Sequence, residues 1–292
     1  MENQCKVLLI ANEKGGVGKS TITINLARGL VDRGRKVLIL DLDQSAGATT
    51  ALGIKLGGWY SALDMIVGGV TPQDAIISDE EPDVHLPRNL HLIPASVNFE
   101  RGIGDFLRKE ENSLMPPGSL LTQSIDELKL IYDYIILDSS PLVTSTTAPA
   151  FGVADYVIIP TQLEKLSVER IGAAMLRAQS AKRFGRQIDV LGVLVSMAPK
   201  PFTQLAKHHI NVLDKNYRLS DGSALRFNTV LTRGVALPES QEKKQTLFDY
   251  APTHPLVDSF RALAKEVEER LESQVSFINQ PQAQVEKEAV NG

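Results

Sequence analysis

A glycine-rich segment near the start of the chain, NEKGGVGKST at residues 12–21, restricts the possible folds more than any other feature of the sequence. It directly follows an apolar run, VLLIA at residues 7–11, and precedes a stretch in which apolar residues recur with helical spacing. Glycine lets the backbone come close to a ligand, and the first N–H groups of a helix point out of its end toward an anion. The order strand, glycine-rich turn, helix therefore predicts a phosphate-binding site on an α/β fold.

Short runs rich in Val, Ile and Leu alternate with amphipathic stretches along most of the chain. Runs that are apolar on both faces are typical of buried parallel strands, and their alternation with helices is typical of a doubly wound sheet. We therefore predict an α/β fold with a doubly wound, mostly parallel sheet flanked by helices, in a single domain spanning residues 1–274. Residues 275–292 are polar and patternless, and they are predicted to form a disordered tail. The runs interpreted as strands are KVLLIA, KVLILDLD, LHLIPA, YDYIILDSS, DYVIIPT and DVLGVLVSM.

The composition excludes several classes of protein. The chain has 292 residues, of which 43% are hydrophobic and 23% charged, as in ordinary globular proteins. No window approaches the eighteen consecutive apolar residues of a membrane-spanning helix, and the first residues lack the basic start of a signal peptide. The single cysteine, Cys5, excludes an internal disulfide and a cysteine-held iron–sulfur cluster within one chain. We expect a cytoplasmic protein.

The segment GVGKST matches the Gly-Lys-Ser end of a P-loop, in which the lysine contacts the β- and γ-phosphates and the serine hydroxyl binds Mg²⁺. These roles fall to Lys19 and Ser20. The general pattern has glycine where this chain has Glu13, and the chain instead carries a second lysine, Lys14. A glycine-rich turn without a ligand is the alternative interpretation, and the flanking strand and helix argue against it.

The sequence KGGVGKST resembles the deviant Walker A box of the ParA/MinD family of ATPases, which includes ParA/Soj-type partition ATPases and McdA-like, carboxysome-positioning members. The resemblance implies a P-loop NTPase fold, ATP and Mg²⁺ as cofactors, and a homodimer that forms with ATP. It also implies that Lys14 reaches across a two-fold axis to the partner's phosphates, whereas Lys19 serves its own nucleotide. A surface lysine without a role is the alternative for Lys14. The implied nucleotide-binding residues are Lys14, Gly15, Gly16, Val17, Gly18, Lys19, Ser20 and Thr21, and the implied catalytic residues are Lys14, Lys19 and Asp43.

Aspartates follow two of the predicted strands. Asp41 and Asp43 end KVLILDLD, and Asp138 ends the strand of YDYIILDSS, a pattern typical of a Walker B segment. In the family that the chain resembles, the second aspartate of the first pair orients the attacking water, which implies this role for Asp43. The family's Asp-x-Asp-Pro-Gln pattern is replaced at residues 44–45 by Gln-Ser, a departure that could alter the rate or coupling of hydrolysis. An aspartate at a strand end also commonly caps a turn, which is the alternative interpretation. The predicted metal-site residues are Ser20, Asp41 and Asp138.

The resemblance covers the chain from about Lys6 to Val267. It implies that the nucleotide base lies near Ser196–Met197 and Leu237–Pro238, so Met197 and Pro238 are added to the nucleotide-binding residues. Two adjacent histidines at 208–209 are interpreted as part of a solvated helix and not as metal ligands, because neighbouring helical residues do not share a face.

Charge is unevenly distributed along the chain. Residues 1–164 carry a net charge of −8, residues 165–244 carry +8, and residues 245–292 carry −4. A basic block can mark a surface for a polyanion, although solvated basic helices would produce the same count. The resemblance implies non-specific DNA as the partner, bound when ATP holds the dimer. The predicted DNA-binding residues are Lys200, Lys207, Lys215, Arg218, Arg226, Arg233, Lys243 and Lys244.

We therefore expect a ParA-type ATPase with slow, partner-stimulated hydrolysis. Its cargo would be a plasmid, a chromosome region or a protein organelle, reached through a ParB-like protein or a cargo adaptor, with the ATP form on the nucleoid. A MinD-like, membrane-associated division-site ATPase is an alternative, but the acidic C-terminal sequence lacks a basic amphipathic helix. A small-molecule enzyme resembling dethiobiotin synthetase is the other alternative.

Overall fold

The computed structural model describes residues 4–109, 117–141, 147–164, 171–183, 187–219 and 221–273. Its strands are β1 Lys6–Ile10, β2 Val37–Asp41, β3 Leu90–Ile93, β4 Tyr134–Asp138, β5 Tyr156–Thr161, β6 Asp189–Ala198 and β7 Arg226–Thr232. Within the described residues these strands form one sheet in the order β3-β2-β4-β1-β5-β6-β7, and every neighbouring pair is parallel. The predicted doubly wound, parallel α/β fold is confirmed.

Helices connect the strands and cover both faces of the sheet. They are α1 Lys19–Asp32, α2 Gly47–Ala51, α3 Ala62–Ile66, α4 Phe99–Arg108, α5 Pro117–Leu128, α6 Thr147–Val153, α7 Ile171–Arg183, α8 Gln204–Asn216, α9 Ala236–Glu242, α10 Leu247–Tyr250 and α11 Pro255–Ser273. Alternate residues of each strand face opposite sides, so the central strand β1 contributes to two cores. Leu8 and Ile10 pack in the layer that holds α1 and α11, and Val7 and Leu9 pack in the layer that holds α5, α6 and α7.

Strand β7 is absent from the strands predicted from the sequence. It lies at the edge of the sheet, where Phe227 and Leu231 are buried but Asn228 is exposed, so it lacks a continuous apolar run. Its outer N–H groups would face water at an open edge. The Glu266 carboxylate of α11 accepts hydrogen bonds from the N–H groups of Asn228 at 2.7 Å and Thr229 at 2.9 Å. The C-terminal helix thus covers the edge strand.

The carboxyl ends of the strands bring distant polar segments to one edge of the sheet. In the sheet register Asp138 of β4 lies beside both Ile10 of β1 and Asp41 of β2. The segments that follow β1, β2 and β4 therefore begin next to one another. Ligands of open α/β sheets bind at this edge, in the crevice outside the strand ends.

The C-terminal segment predicted to be a tail, residues 275–292, lies outside the described residues, and the domain limits of 1 and 274 stay a prediction. Among the helices of the described residues, none combines the length and apolar character needed to cross a membrane.

Candidate functional site

The glycine-rich segment forms a loop between β1 and α1. Gly16 and Gly18 have φ values of +72° and +86°, in the left-handed region that disfavours side chains. Gly18 caps the N-terminus of α1, so the first N–H groups of this 14-residue helix face the loop. Unpaired N–H groups and aligned peptide dipoles make such a helix start favourable for phosphate. The predicted nucleotide-binding residues 15–21 thus lie in one continuous turn and helix start.

The ends of β5 and β6 hold this loop in place. Asn12 Nδ2 donates to the Pro160 carbonyl at 2.6 Å, and Asn12 Oδ1 accepts from the N–H of Lys14 at 2.9 Å. The Ser196 hydroxyl donates to the Val17 carbonyl at 2.9 Å. Each of these bonds joins the loop to a strand end or to itself, and together they stabilise the shape of the loop.

Lys19 is the buried lysine of the loop. Its exposure is 7%, and it belongs to the first turn of α1. Burial lowers the pKa of its ammonium group, whereas the nearby charges of Asp138 and Asp43 act in the opposite direction. A lysine beside two carboxylates and a helix N-terminus has the setting expected of the lysine that contacts nucleotide phosphates.

Lys14 lies in different surroundings. Its Nζ donates to Gln162 Oε1 at 2.7 Å and to Glu164 Oε2 at 2.6 Å, both in the segment after β5. The neighbouring residue, Glu13, accepts two hydrogen bonds at Oε1 from the guanidinium of Arg177 on α7, at 2.8 and 3.0 Å. Lys14 therefore forms an ion pair with Glu164 after β5, and Glu13 forms one with Arg177 on α7.

Asp138 ends β4 directly below the loop. It is fully buried, its Oδ1 accepts from the Thr23 hydroxyl at 3.3 Å, and its Oδ2 has no hydrogen-bond partner among the described residues. Burial raises the pKa of Asp138 well above its usual range, the charge of Asp41 adds to the rise, and a hydrogen bond from Ser20 opposes it. A buried, unpaired carboxylate oxygen is costly unless another group, such as a hydrated cation, satisfies it.

Asp41 ends β2 and differs from Asp138 in its hydrogen bonds. Its Oδ1 accepts from the N–H of Asp43 at 3.1 Å, and its Oδ2 accepts from the N–H of Thr49 at 2.9 Å and from the Thr49 hydroxyl at 2.7 Å. Burial raises its pKa to about 6, and the bonds from Thr49 oppose this rise. The two aspartates predicted for the metal site are therefore not equivalent, because Asp41 is bonded to its own loop.

Asp43 begins the turn between β2 and α2. Its exposure is 7%, and its Oδ1 accepts from the N–H of Ser45 at 2.9 Å. Ala46 follows with a φ of +54°, a left-handed conformation uncommon for alanine. At Gly47 a Cβ atom would lie 2.6 Å from Ser20 Oγ, so any side chain there would displace the Ser20 hydroxyl. The turn is thus pressed against the start of α1, and Asp43 faces the phosphate loop from its side.

The residues present fit a magnesium ion. Ser20 and Asp138 supply a hydroxyl and a carboxylate at the loop, and Asp138 Oδ2 is the buried oxygen that has no partner in the described part of the chain. Mg²⁺ typically binds through one or two protein oxygens, several waters and substrate phosphates. No group of three or more His, Cys, Asp or Glu residues in the described ranges is placed to hold a metal alone. His208 and His209 lie on α8 with their ring centroids 5.8 Å apart.

The residues predicted near the base lie on two sides of the loop. Met197 lies near the end of β6 and has a φ of +51°. Its Cε lies 3.4 Å from the point that a Cβ atom would occupy if Gly18 had a side chain. Its Sδ accepts a hydrogen bond from Gln162 Nε2 at 3.0 Å. Pro238 lies on α9 and is exposed, and Leu237 beside it packs partly against the core. Met197 thus contacts the loop, whereas α9 approaches the site from the side of α2.

The eight predicted DNA-binding residues divide into two groups. Arg226 is half-buried, and its Nε and Nη2 donate to the Asp214 carboxylate at 2.8 and 3.0 Å while Nη1 donates to the Phe227 carbonyl. Its guanidinium therefore serves the packing of α8 against β7. Arg218 donates to the Gly222 carbonyl but remains exposed. The exposed residues are Lys200, Lys207, Lys215, Arg218, Arg233, Lys243 and Lys244.

Several residues of the site are not among those predicted from the sequence. Gln162 and Glu164 contact Lys14, and Thr49 binds Asp41. The signal for Gln162 and Glu164 is their position directly after the buried strand β5, at the same sheet edge as Asp138. The sequence signal that would have identified Gly47 as a site residue is weaker, because a single glycine after a strand end is common.

Comparisons with known proteins agree with this geometry. A family model described as an AAA domain matches residues 5–187, more than half of the chain. The chromosome-partitioning ATPase Soj of Thermus thermophilus is 30% identical over 269 residues, which cover 91% of this chain and 96% of the relative. The chain belongs to the ParA/Soj family of P-loop ATPases. The predicted family membership is confirmed.

Solved structures show that the ParA/Soj fold serves more than one chemistry. The ATP complex of an aspartate-to-alanine variant of McdA from Cyanothece superposes with a TM-score of 0.75 at 22% identity, covering 95% of this ParA/Soj-family chain and 98% of McdA. Cobyrinic acid a,c-diamide synthase from Mycobacterium smegmatis, solved with an ATP analogue and magnesium, gives a TM-score of 0.71 at 20% identity, covering 94% and 100%. At these identities the likeness shows the fold alone, so function must be argued from the site.

Proposed function

We propose that this ParA/Soj-family protein is an ATPase that dimerises when it binds ATP and Mg²⁺, and that the dimer binds DNA without sequence preference. The observation that carries the proposal is the different setting of the two lysines in one phosphate loop. Lys19 is buried beside carboxylates, whereas Lys14 pairs with residues after β5 at the surface of the site. One lysine suffices for the nucleotide of its own subunit, which leaves Lys14 for a partner's phosphates.

In this proposal the loop residues 15–21 bind the phosphates, and Lys19 neutralises their charge. Ser20 and Asp138 would hold Mg²⁺, and the ion would offset the cost of the buried, unpartnered Oδ2 of Asp138. The metal would neutralise developing phosphate charge when bound. Asp43 orients the attacking water from the turn after β2, and Asp41 holds this turn through Thr49. Met197 and Pro238 lie near the base.

Dimer formation then requires Lys14 to exchange its partners. In the single chain its ammonium group binds Glu164, whose side chain is 61% exposed. A partner's triphosphate offers more negative charge and several acceptor oxygens, so ATP favours the exchange and ADP does so less. Hydrolysis removes the γ-phosphate and returns Lys14 to Glu164. The same-chain contact therefore opposes dimerisation.

Substitution of Glu164→Gln is expected to strengthen the ATP-dependent dimer. The amide keeps the hydrogen bond to Lys14 but removes the competing charge, and an exposed ion pair contributes roughly 0.2–1 kcal/mol. Two such sites per dimer correspond to a roughly two- to thirtyfold lower dimer dissociation constant. Sedimentation velocity across a concentration series with ATP and Mg²⁺ measures the constant.

The matched control for this substitution is Glu269→Gln on α11. Glu269 is 59% exposed and pairs with Lys265 at 3.4 Å, so the change removes a comparable ion pair away from the site. The control is expected to leave the dimer constant unchanged. A weaker dimer in Glu164→Gln would contradict the competition and indicate that Glu164 supports the interface.

The proposed DNA surface consists of basic residues on α8 and in the segments that follow β6, α8, β7 and α9, with Arg226 left out because it binds Asp214. Two copies of the surface in one dimer would bind more phosphates than a monomer, which gives ATP control over DNA affinity. The ATP-bound dimer would then bind non-specific DNA of the nucleoid, and the protein would leave the DNA after hydrolysis.

DNA affinity of the ATP dimer is expected to fall steeply with salt, because each neutralised phosphate releases counterions and contributes a slope of about −0.9 in log K against log salt. Lys207→Ala and Lys215→Ala are each expected to make the slope shallower by up to about 0.9 per subunit. Fluorescence anisotropy of a labelled random duplex at several salt concentrations measures it. Lys265→Ala on α11 is the control and keeps the slope; a flat salt response of the parent would refute the DNA surface.

We propose further that a partner bound to a cargo stimulates a slow intrinsic hydrolysis, so that the cargo moves over the nucleoid. The cargo is a plasmid, a chromosome region or a protein organelle. The two alternatives predict different behaviour. A division-site ATPase would sediment with lipid vesicles in ATP and not bind DNA, and a small-molecule enzyme would consume ATP with a metabolite and no dimer.

A further inference from the structure

A hydrogen bond joins the phosphate loop helix to a residue 220 positions later in the chain. Gln241 on α9 donates from Nε2 to the hydroxyl oxygen of Thr21 at 2.8 Å. Thr21 is the third residue of α1 and the last residue of the proposed phosphate loop. The contact therefore joins the segment predicted near the base to the segment proposed for the phosphates.

A second contact, one helical turn further along α1, joins this helix to α10, which follows α9 in the chain. Asn25 Nδ2 donates to the Thr21 carbonyl at 2.9 Å, and Asn25 Oδ1 accepts from the N–H of Leu247 at 2.9 Å. Thr21 and Asn25 are four residues apart and share one face of the helix. The Asn25 contact satisfies a backbone group and docks α10, whereas the Gln241 contact acts on a side-chain hydroxyl beside the loop.

The chemistry of this bond limits the directions in which the hydroxyl hydrogen can point. A threonine hydroxyl has one hydrogen to donate and two lone pairs to accept, and an amide nitrogen can only donate. Gln241 therefore occupies a lone pair of Thr21 and leaves its hydrogen for another acceptor. Threonine in a helix often donates to the carbonyl four residues earlier, here that of Val17, which accepts from the Ser196 hydroxyl and would have to accept a second hydrogen bond.

We propose that Gln241 is a positioning residue that turns the Thr21 hydroxyl so that its hydrogen donates to a phosphate of the bound nucleotide. The inference rests on the proposed nucleotide site and assigns a role to α9 within it. Pro238, predicted near the base, lies three residues before Gln241 on the same helix. Through this bond α9 acts on both ends of the nucleotide, so a displacement of α9 changes phosphate affinity.

Substitution of Gln241→Glu reverses the direction of the hydrogen bond. An ionised glutamate accepts from Thr21, so the hydroxyl presents only lone pairs to the phosphate. Binding of Mg·ADP, measured by titration calorimetry at pH 8, is expected to be about tenfold weaker than in the parent. Toward pH 4, just below the ordinary glutamate pKa of about 4.3, the glutamate gains a proton and donates again, so the ratio to the parent at the same pH is expected to fall toward one.

Two further variants separate positioning from packing and from charge. Gln241→Met keeps the length of the side chain and removes the donor. Its loss of Mg·ADP affinity is expected to be smaller than that of Gln241→Glu at pH 8, and equal at both pH values. In a Thr21→Val background, Gln241→Glu is expected to cause no further loss of Mg·ADP affinity, because the hydroxyl through which residue 241 acts is absent. An equal loss in that background, or a loss in Gln241→Glu that ignores pH, would overturn the positioning role.

The parent protein separates this inference from the proposed function. If the parent does not bind Mg·ADP or Mg·ATP, the proposed nucleotide site itself fails. If the parent binds and Gln241→Glu matches it at both pH values, the inference on Gln241 fails and the nucleotide site stands.

Discussion

Substitution of Asp43→Ala is expected to lower the rate of ATP hydrolysis by about 10²-fold or more and to leave ATP binding intact. Asp43 is buried in the turn after β2 and is not itself one of the residues proposed to hold the phosphates. Loss of its carboxylate removes the group that orients the attacking water, whereas Lys19 and the loop N–H groups remain. Because γ-phosphate persists, the ATP dimer is expected to remain on DNA.

The control for Asp43→Ala is Asp43→Asn. The asparagine Oδ1 can still accept from the N–H of Ser45, so the turn keeps its shape while the negative charge is lost. Equal loss of hydrolysis in both variants would assign the effect to the carboxylate and not to the fold of the turn. Phosphate release at the parental rate by either variant would show that another residue orients the water. Single-turnover phosphate release with prebound ATP measures the step.

Substitution of Lys14→Ala is expected to abolish the ATP-dependent dimer at micromolar concentration. Each subunit would lose a charge-assisted hydrogen bond to the partner's phosphates, at about 1.5–3 kcal/mol each. Two sites amount to roughly 3–6 kcal/mol, or about 10²- to 10⁴-fold in the dimer dissociation constant. ATP binding by the monomer is expected to persist, because Lys19 is the lysine buried beside the loop carboxylates.

Sedimentation velocity with ATP measures the dimer, and fluorescent nucleotide binding measures the monomer. Lys265→Ala is the control, because Lys265 is an exposed lysine on α11 that pairs with Glu269 of the same helix. A Lys14→Ala variant that still dimerises with ATP would remove the basis of the proposed switch. A variant that loses nucleotide binding as well would show that Lys14 serves its own subunit.

The sequence predicts those parts of the fold that depend on local pattern. Six of the strands are runs rich in buried apolar residues, interrupted in β3 by His91, and the phosphate loop is a contiguous motif. Strand β7 is not predicted from the sequence, because it lies at the edge of the sheet and only alternate residues such as Phe227 and Leu231 are buried. Its partner Glu266 lies 38 residues away from Asn228 and has no sequence signal of its own.

The contacts that give the site residues their individual settings could not be predicted from the sequence. Lys14 meets Gln162 and Glu164 across about 150 positions, because β1 and β5 are neighbours in the sheet. Arg226 is one of several basic residues in the sequence, and only the fold places its guanidinium on Asp214. Charge counts locate a basic block, but they do not distinguish a solvated cation from one that is committed to a carboxylate.

The narrow space at Gly47 has a consequence for any engineering of this protein. Even a single methyl group there would intrude on Ser20, so no substitution at 47 alters the turn alone. A library that varies position 47 and a library that varies position 20 would therefore change the same contact. Activity lost through a change at 47 can therefore be assigned to the turn only after the Ser20 hydroxyl has been tested by its own substitution.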